Sequence, residues 1–572
     1  MPKNKMALKP YLEAIEQLCS RLSPDELKTL IINIAKETPV RERKDFLKKL
    51  YSYSGAGKPP QSRKDAKEKI FHRIDAVKED IQERIDSIED GSYWDFVDYD
   101  DFEDEADLIS EDQADELIGI FEEADSLFLD GRLEMARDIY QRLFQTIREF
   151  DESGDAAFIG MDKYDLKEAR SRYCRCIYET VPKKDRVGQI MAAIDINANI
   201  NDTRLRPEQE PFPMLCDIIE ALPGDMKDLD SFLKDWISAL EKQQSNRAAT
   251  LLLEAVFFAK GTDGVSDLAR KWGDNQPRGY LYWIECLINY GHWKQAAGAC
   301  LEALDKLPCN SFREQAAAYL VEAGTHLSDN SLILQGKREQ LISVPGEENL
   351  LDFVEEAGRQ KVRDAELEAL QDIIRKSVKS SPGDNIFYTR YLLMSGKVKE
   401  AFVHAKSESK VGWSYGRAGL VFGGVLYIVC GKNRKAKTIN DLLKRYAEAP
   451  VFFSLNGSGN TGTSMYEEIL KGLDQFESGP ADEKEFWNWA KKIGRARIDH
   501  IVSNKHRGAY DRAAAVLGSL CECLLLCHRK NDAQNLAHEF YFGKYNRHSA
   551  FRREVKSIFS SSDMLAAISP AR

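Results

Sequence analysis

The chain has 572 residues, of which 43% are hydrophobic, 10% aromatic and 30% charged, and 18 are proline. This apolar content is enough for several cores of ordinary size, and it excludes a disordered or fibrous protein. The net charge of −12 comes from residues 89–130, which hold 18 acidic residues and no basic one, so bulk attraction to nucleic acid is not expected.

Capping residues mark the helices of residues 1–53, which we predict to be a small helical module. Ser23-Pro24-Asp25-Glu26 supplies a side-chain acceptor at the N-cap, a proline where no N–H is needed, and a Glu that can bond back to the cap. Thr38-Pro39 repeats this pattern, so residues 8–51 predict three short helices. A hinge rich in glycine and proline follows, and then a charged helix to about Ile88.

Residues 54–109 contain this helix and an acidic segment in which aromatic rings alternate with carboxylates. Self-repulsion should keep the segment extended in isolation. Such a segment can insert its rings into apolar pockets of a partner while its charges face a basic groove. We therefore predict a partner-binding strip formed by Trp94, Phe96, Asp98, Tyr99, Asp101 and Phe102. The alternative is an acidic linker whose rings lie on a neighbouring helix.

Helical hairpins are predicted over residues 110–450, beginning with a capping box between Ser110 and Gln113. One unit matches the tetratricopeptide spacing with Tyr280, Trp283, Ile284, Leu287, Gly291, Ala296, Cys300, Ala303 and Pro308. Weaker units are formed by Ala124, Leu127, Gly131, Ala136, Tyr140 and Leu143, by Leu392, Gly396, Ala401 and Ala405, and by Leu524, Ala533, Ala537 and Phe540. Small residues let facing helices approach closely, and glycine lets the chain reverse between them. The alternative is generic helix packing with accidental placement of Ala and Gly.

The predicted fold class is therefore all-α, with TPR-like stacked hairpins (an α-solenoid) and a C-terminal helical domain at residues 465–572. The segments Leu268-Ala269-Arg270-Lys271-Trp272 and Tyr280-Leu281-Tyr282-Trp283-Ile284 resemble those of bacterial tetratricopeptide-type proteins of unassigned role. This resemblance covers about residues 110–450 and implies a fold more than an activity. Some relatives carry SWIM zinc fingers, but Cys174-Arg175-Cys176 has no later Cys-x-His partner here.

The chain also resembles, in size, helical make-up and acidic linker, the accessory protein that the caspase-like protease of type III-E CRISPR effectors cleaves. The resemblance implies a CRISPR-associated, non-enzymatic regulator of antiviral defence. Such a regulator would hold a sigma factor and be altered by proteolysis once foreign RNA is sensed.

A glycine-rich segment at residues 451–464 spells GxGxxG from Gly457 to Gly462, and a helix is predicted to start near Ser464. Read literally, this pattern is the dinucleotide fingerprint, but no alternating strands and helices follow to form its parallel sheet. We predict a flexible loop that proteases can reach, with Asn456, Gly457, Gly459 and Thr461 as the candidate cleavage residues.

Soft metal ligands are concentrated at Cys521, Cys523, Cys527 and His528, which are weak candidates for a metal site. Metal coordination needs three or four converging side chains. On a helix Cys523 and Cys527 share one face whereas Cys521 points elsewhere, and the neighbouring leucines indicate a core helix. Buried thiols are therefore the preferred interpretation, and no metal is predicted.

The nine histidines are dispersed and HExxH does not occur, so the sequence indicates no residue as a general base. Eleven cysteines without a framework, and no secretory signal, indicate a reducing cytoplasm without disulfides. The apolar run at residues 418–430 is too short to cross a membrane and predicts a buried core helix.

We therefore expect a cytoplasmic, non-catalytic regulator that binds one or more proteins and needs no cofactor. Its expected partners are a sigma factor and a caspase-like protease, with no membrane and no direct nucleic-acid contact. The alternatives are a metal-dependent or nucleic-acid-binding factor that uses the Cys521–His528 cluster, and a passive scaffold protein.

Overall fold

The computed structural model describes residues 8–37, 46–50, 63–92, 109–150, 161, 164–196, 212–222, 224–378, 382–407, 413, 417–449 and 463–569. Over these ranges the regular secondary structure is helical and no strand occurs, which confirms the predicted all-α class. Packing divides the chain into two compact units, Met1–Lys271 and Trp272–Arg572. The domain boundaries proposed above concern a different division of the chain and stay predictions.

The first unit contains ten of the helices described. They are α1 (Leu8–Arg21), α2 (Pro24–Glu37), α3 (Arg63–Glu89), α4 (Glu111–Leu129), α5 (Leu133–Phe150), α6 (Leu166–Thr180), α7 (Lys183–Ala193), α8 (Leu215–Glu220), α9 (Leu229–Leu240) and α10 (Asn246–Trp272), which ends at the unit boundary. Consecutive helices pack on each other from α3 to α7, while α8 packs on α6 and α9 on α7. A kink divides α10 at Gly261, whose backbone has φ +64°.

The second unit begins with six helices that pack in chain order. They are α11 (Arg278–Asn289), α12 (Trp293–Lys306), α13 (Ser311–Leu327), α14 (Asn330–Ser343), α15 (Glu347–Arg359) and α16 (Arg363–Ser377). We call α11 to α16 the sequential stack. Each of its helices contacts the next one along the chain, which is the packing of a helical-repeat protein.

The rest of the second unit is packed differently, and we call it the interlocked bundle. Its helices are α17 (Pro382–Met394), α18 (Val398–Lys406), α19 (Arg417–Val429), α20 (Lys437–Ala447), α21 (Met465–Gln475), α22 (Pro480–Ser503), α23 (Tyr510–Leu526), α24 (Lys530–His538), α25 (Ser549–Ser561) and α26 (Asp563–Ala566). Contacts between helices far apart in sequence, such as α17 with α21, α19 with α22, and α20 with α23, join them around one apolar core.

Three of the capping signals read from the sequence begin helices, whereas the Thr38-Pro39 signal lies outside the described residues and stays a prediction. Ser110 and Gln113 form the predicted reciprocal capping box before α4, with N–H to oxygen distances of 2.9 and 3.3 Å. The backbone N–H of Ser23 donates to the Glu26 carboxylate at 2.8 Å before α2. Ser464 accepts from the N–H of Glu467 at 3.4 Å, so α21 begins where it was expected.

All four predicted repeat units are helical hairpins, formed by α4 and α5, α11 and α12, α17 and α18, and α23 and α24. Their small residues are buried, for example Ala136 and Ala296, each with no exposed surface. Gly131 and Gly291 take positive φ values of +74° and +71° at the turns, where a residue with a side chain would be strained. The tetratricopeptide spacing therefore predicted the geometry correctly.

The predicted core helix is also confirmed, as α19. Every residue from 418 to 428 is buried. Two glycines on one face let α20 approach closely: a Cβ at Gly419 would lie 2.5 Å from the Tyr446 ring, and one at Gly423 would lie 3.1 Å from the backbone of Leu443. Within the described residues, no helix has both the length and the hydropathy that crossing a bilayer requires.

Candidate protein-binding surface

Two sets of predicted site residues lie outside the described residues. They are the partner-binding strip (Trp94, Phe96, Asp98, Tyr99, Asp101 and Phe102) and the candidate cleavage residues (Asn456, Gly457, Gly459 and Thr461). Both stay predictions. The search for a functional surface therefore turns to the helices.

The most exposed apolar surface among the described helices lies on α1 and α2. None of the described side chains of these two helices is buried. Six large apolar side chains are between 42% and 49% exposed: Tyr11, Ile15, Leu18, Ile31, Ile32 and Ile34. The first three lie at positions i, i+4 and i+7 of α1 and so share one face, as do Leu27, Ile31 and Ile34 on α2. We call these two faces the N-terminal apolar stripes.

These stripes lie on helices that are held to the first unit at one end. Helix α1 packs on the short helix α8, and the ammonium group of Lys9 lies 3.7 Å from the carboxylate of Asp225. The charges around the stripes nearly cancel, because residues 8–37 carry five acidic and four basic side chains. A partner would therefore be recognised by apolar contact more than by charge.

Other amphipathic helices of the same unit bury their apolar stripes. In α5, for example, Ala136, Ile139, Tyr140 and Leu143 have no exposed surface. An exposed cluster of large apolar side chains is unusual for a soluble domain and typical of an interaction site. The sequence analysis missed this surface because a stripe at helical spacing predicts a buried face equally well. Only the exposure of the side chains distinguishes the two cases.

A second exposed surface lies at the turn between α11 and α12, where Tyr290 is 61% exposed. The Trp293 ring stacks on the His326 ring with centroids 3.7 Å apart and planes 7° from parallel. The rings of Tyr290 and His292 are also stacked, at 6.3 Å. This aromatic group is smaller than the N-terminal apolar stripes, and it belongs to the sequential stack.

The most connected titratable group of the first unit surrounds Asp125 on α4. Its carboxylate accepts hydrogen bonds from the hydroxyl groups of Tyr140 and Tyr164, the latter at 2.7 Å, and the Arg172 guanidinium lies 2.7 Å away. Burial and the charge of Asp125 raise the pKa of Tyr164, so its hydroxyl keeps the proton that it donates. Because Asp125 lies on α4, Tyr140 on α5 and Arg172 on α6, this network joins the three helices.

The four weak metal candidates do not converge on one point. The Cys521 thiol is buried and donates to the carbonyl oxygen of Ala533 at 3.6 Å, whereas the Cys527 thiol donates to that of Val429 at 3.5 Å. His528 lies in the turn after α23 with φ +61°. Among the residues that the structure describes, no group of three or more His, Cys, Asp or Glu side chains has a metal-binding arrangement. The sequence analysis missed Cys430, which lies beside Cys523 and Cys527.

Comparisons with known proteins add little to this description of the candidate surfaces. No protein-family model matches the chain, and no curated protein matches it. Among solved structures, the chain is similar to a circular tandem repeat protein described as having a novel repeat topology and enhanced subunit contact surfaces. The two are 12% identical, the similarity covers 87% of this chain and 98% of the other, and the TM-score is 0.15. No argument is drawn from this likeness, and the class of all-helical repeat protein rests on the helices and packing described above.

Proposed function

We propose that this chain is a non-catalytic protein-binding regulator that holds a partner on the N-terminal apolar stripes. The observation that carries the proposal is the exposure of six large apolar side chains on α1 and α2, none less than 42% exposed. Burying a side chain of this size completely contributes about 1.5–3 kcal/mol, so covering its exposed half contributes roughly half of that. Helical repeats are also typical protein-binding architectures.

The partner that fits the stripes presents an apolar groove or an amphipathic helix, as in helix-in-groove recognition. Matched variants test this. Ile15→Asp with Ile31→Asp places two charges on the stripes, whereas Gln17→Asp with Asn33→Asp places the same charges on the opposite, exposed faces of the same helices. Affinity capture from extracts of the source cells, quantified by mass spectrometry, compares both with the wild type.

We expect the stripe variant to lose at least about tenfold in the amount of its specific partner captured. The control variant should retain that partner, and circular dichroism should show equal helix content in all three proteins. Capture should also change little between about 0.05 and 0.5 M salt, because the surface is nearly neutral. Equal capture by both variants would refute the role of the stripes.

The finer form of the proposal is that the partner is a sigma factor and that a caspase-like protease of an RNA-guided effector cleaves residues 451–464. It is supported by the sequence resemblance stated above and by the acidic, aromatic composition of residues 93–105. Purified chain incubated with such a protease should be cut within residues 451–464 only when target RNA is present. Cleavage at another site, or cleavage that does not depend on the RNA, would exclude this form.

The predicted strip provides a competing epitope for the same partner, and salt distinguishes the two. Binding through carboxylates weakens steeply with ionic strength, whereas binding through apolar stripes does not. Trp94→Ala and Asp101→Lys should reduce capture if the strip contributes. If both variants capture the partner as well as the wild type does, the strip is only a linker.

A further inference from the structure

Three thiols come together in the interlocked bundle, where the C-terminal ends of α19 and α23 meet. Cys430 and Cys527 each directly follow the last residue of one of these helices, and Cys523 lies one turn before the end of α23. The Cys527 thiol donates to the carbonyl oxygen of Val429 at 3.5 Å, and the Cys430 thiol donates to that of Tyr427 at 3.3 Å. Cys523 and Cys527 are four residues apart at this end of α23, and each thiol affects the pKa of the other.

The three thiols differ in accessibility. Cys523 has no exposed surface and Cys430 is buried, whereas Cys527 is partly exposed. A reagent from solvent therefore meets Cys527 first. Cys527 is the C-cap residue of α23, and its backbone N–H donates to the carbonyl oxygen of Cys523 at 3.0 Å.

The surroundings of Cys527 favour its thiolate. The interaction between the two thiols lowers the pKa of Cys527 and raises that of Cys523, and the positive charge of Arg529 also lowers the pKa of Cys527. The partial burial of Cys527 and the carboxylate of Glu483 oppose this effect, and burial raises the pKa of Cys430 to about 11. The exposed thiol of the cluster is thus also the one that ionises most readily, as in reactive cysteines generally.

We propose that Cys527 is a peroxide-reactive thiol and that Cys523 is its resolving thiol. The Cys527 thiolate attacks one oxygen of hydrogen peroxide, the O–O bond breaks, and hydroxide leaves to give a sulfenic acid at Cys527. Cys523 then attacks the sulfenic sulfur, the S–O bond breaks, and the leaving hydroxide takes up the proton of Cys523 to form water. The two thiols are oxidised to one disulfide while the peroxide is reduced.

Forming this bond affects the end of α23. Side chains four residues apart on a helix have Cβ atoms about 5–6 Å apart, whereas a disulfide brings them to about 3.5–4.5 Å. The last turn of the helix therefore has to tighten or unwind. Because Cys527 is the C-cap residue, the adjustment is confined to the last turn of α23, where the hydrogen bond from the Cys527 N–H to the Cys523 carbonyl oxygen has to change, and the core of α23 stays in place.

The test treats the full-length reduced chain with hydrogen peroxide and then alkylates the remaining thiols for peptide mass spectrometry. Cys309 serves as the internal comparison, because it is exposed and lies outside the cluster. We expect Cys527 to be oxidised at least about tenfold faster than Cys309. We also expect the mass of the tryptic peptide of residues 513–529 to fall by two hydrogen atoms, as a disulfide within the peptide requires. The same loss in a Cys521→Ser variant shows that Cys521 is not part of the bond.

Variants then assign the two roles. In Cys523→Ala, the sulfenic acid at Cys527 should accumulate and be trapped by dimedone, and in Cys527→Ser neither product should form. Oxidation of Cys309 as fast as Cys527, or a disulfide that joins Cys527 to Cys430 instead, would overturn the proposal. The comparison of the two rates needs only the wild-type chain, so it stands even if a variant fails to fold.

Discussion

The sequential stack and the interlocked bundle belong to one compact unit, yet different interactions hold them together. In the stack, each helix packs on its neighbours in the chain, and close approach depends on small residues. In the bundle, helices far apart in sequence meet, and several fully buried charged side chains bind the ends of helices. A region whose helices pack in chain order can therefore be followed, in the same all-helical unit, by a region whose core joins helices far apart in sequence.

The closest packing in the stack lies between α13 and α14. A Cβ at Gly336 would come within 2.6 Å of Val321 Cγ2 and 2.9 Å of the Ala317 carbonyl oxygen. Because most contacts in the stack join neighbouring helices, its stability is approximately a sum of terms for each helix pair and its interface. Local opening of one pair is therefore possible without unfolding the rest.

In the bundle, α20 is held at both ends by buried charges from other helices. The Glu522 carboxylate accepts from the N–H of Ile439 at 3.0 Å, near the first turn of α20. At the other end, the Arg390 guanidinium donates to the carbonyl oxygens of Tyr446 and Ala449 at 3.1 and 2.7 Å. Both charges have the sign that the helix dipole favours, so α20 should open only when the bundle does.

The largest expected effect comes from Arg390→Ala. This substitution removes the hydrogen-bond donor of the Tyr446 and Ala449 carbonyl oxygens. It also removes the ion-pair partner of the Glu347 carboxylate. We expect the free energy of unfolding of the bundle to fall by about 3–5 kcal/mol. Urea unfolding measures this loss, and amide hydrogen exchange should show that α20 opens together with the bundle.

The matched control is Arg445→Ala, since Arg445 pairs with Asp511 at 3.0 Å on the surface and both side chains are 47% exposed. Its expected cost is about 0–1 kcal/mol. If the two substitutions cost the same, buried charges do not hold the bundle together.

A smaller effect is expected in the stack from Gly336→Ala. The added methyl group meets Val321 and the backbone of Ala317, so α13 and α14 have to move apart, at a cost of about 1–3 kcal/mol. Gly298→Ala is the control, because nothing lies within 4 Å of its Cβ position. Gly298→Ala should stabilise α12 by up to about 1 kcal/mol, because alanine favours a helix more than glycine does. Thermal unfolding that shifts in the same direction for both variants would contradict the account.

The smallest effect is a pH dependence in the bundle. Burial raises the pKa of Glu522 in the native chain above the ordinary value of 4.5. Between these two pKa values, Glu522 is protonated in the native chain but ionised in the unfolded chain, so the native chain binds more protons. Stability should then fall as pH rises through this window, by at most about 1.4 kcal/mol per pH unit. Glu522→Gln should remove this part of the slope, and exposed Glu477→Gln should not. Urea unfolding at several pH values measures how stability depends on pH. Equal slopes for the two variants would refute the role of Glu522.

Much of the fold could be predicted from the sequence, because caps and hairpins are local. Ser110, Ser464 and the repeat unit at residues 280–308 each specify their own helices through neighbouring residues. The buried roles of Arg390 and Glu522 could not be predicted, since they depend on contacts with residues more than fifty positions away in the chain.

The candidate sites were harder to predict for the same reason. Cys430 joins Cys523 and Cys527 only because α19 and α23 end side by side. The N-terminal apolar stripes have the spacing of ordinary core faces, and no pattern within α1 or α2 shows that they stay exposed. Burial depends on the whole unit, whereas periodicity describes one helix.

Amide hydrogen exchange of the full-length chain, alone and in a purified complex with its captured partner, tests the central claim most directly. If the partner is held on the N-terminal apolar stripes, the strongest new protection should lie in residues 8–37, with little change in α11 to α16. Unchanged exchange over residues 8–37, together with new protection elsewhere in the chain, would contradict the account.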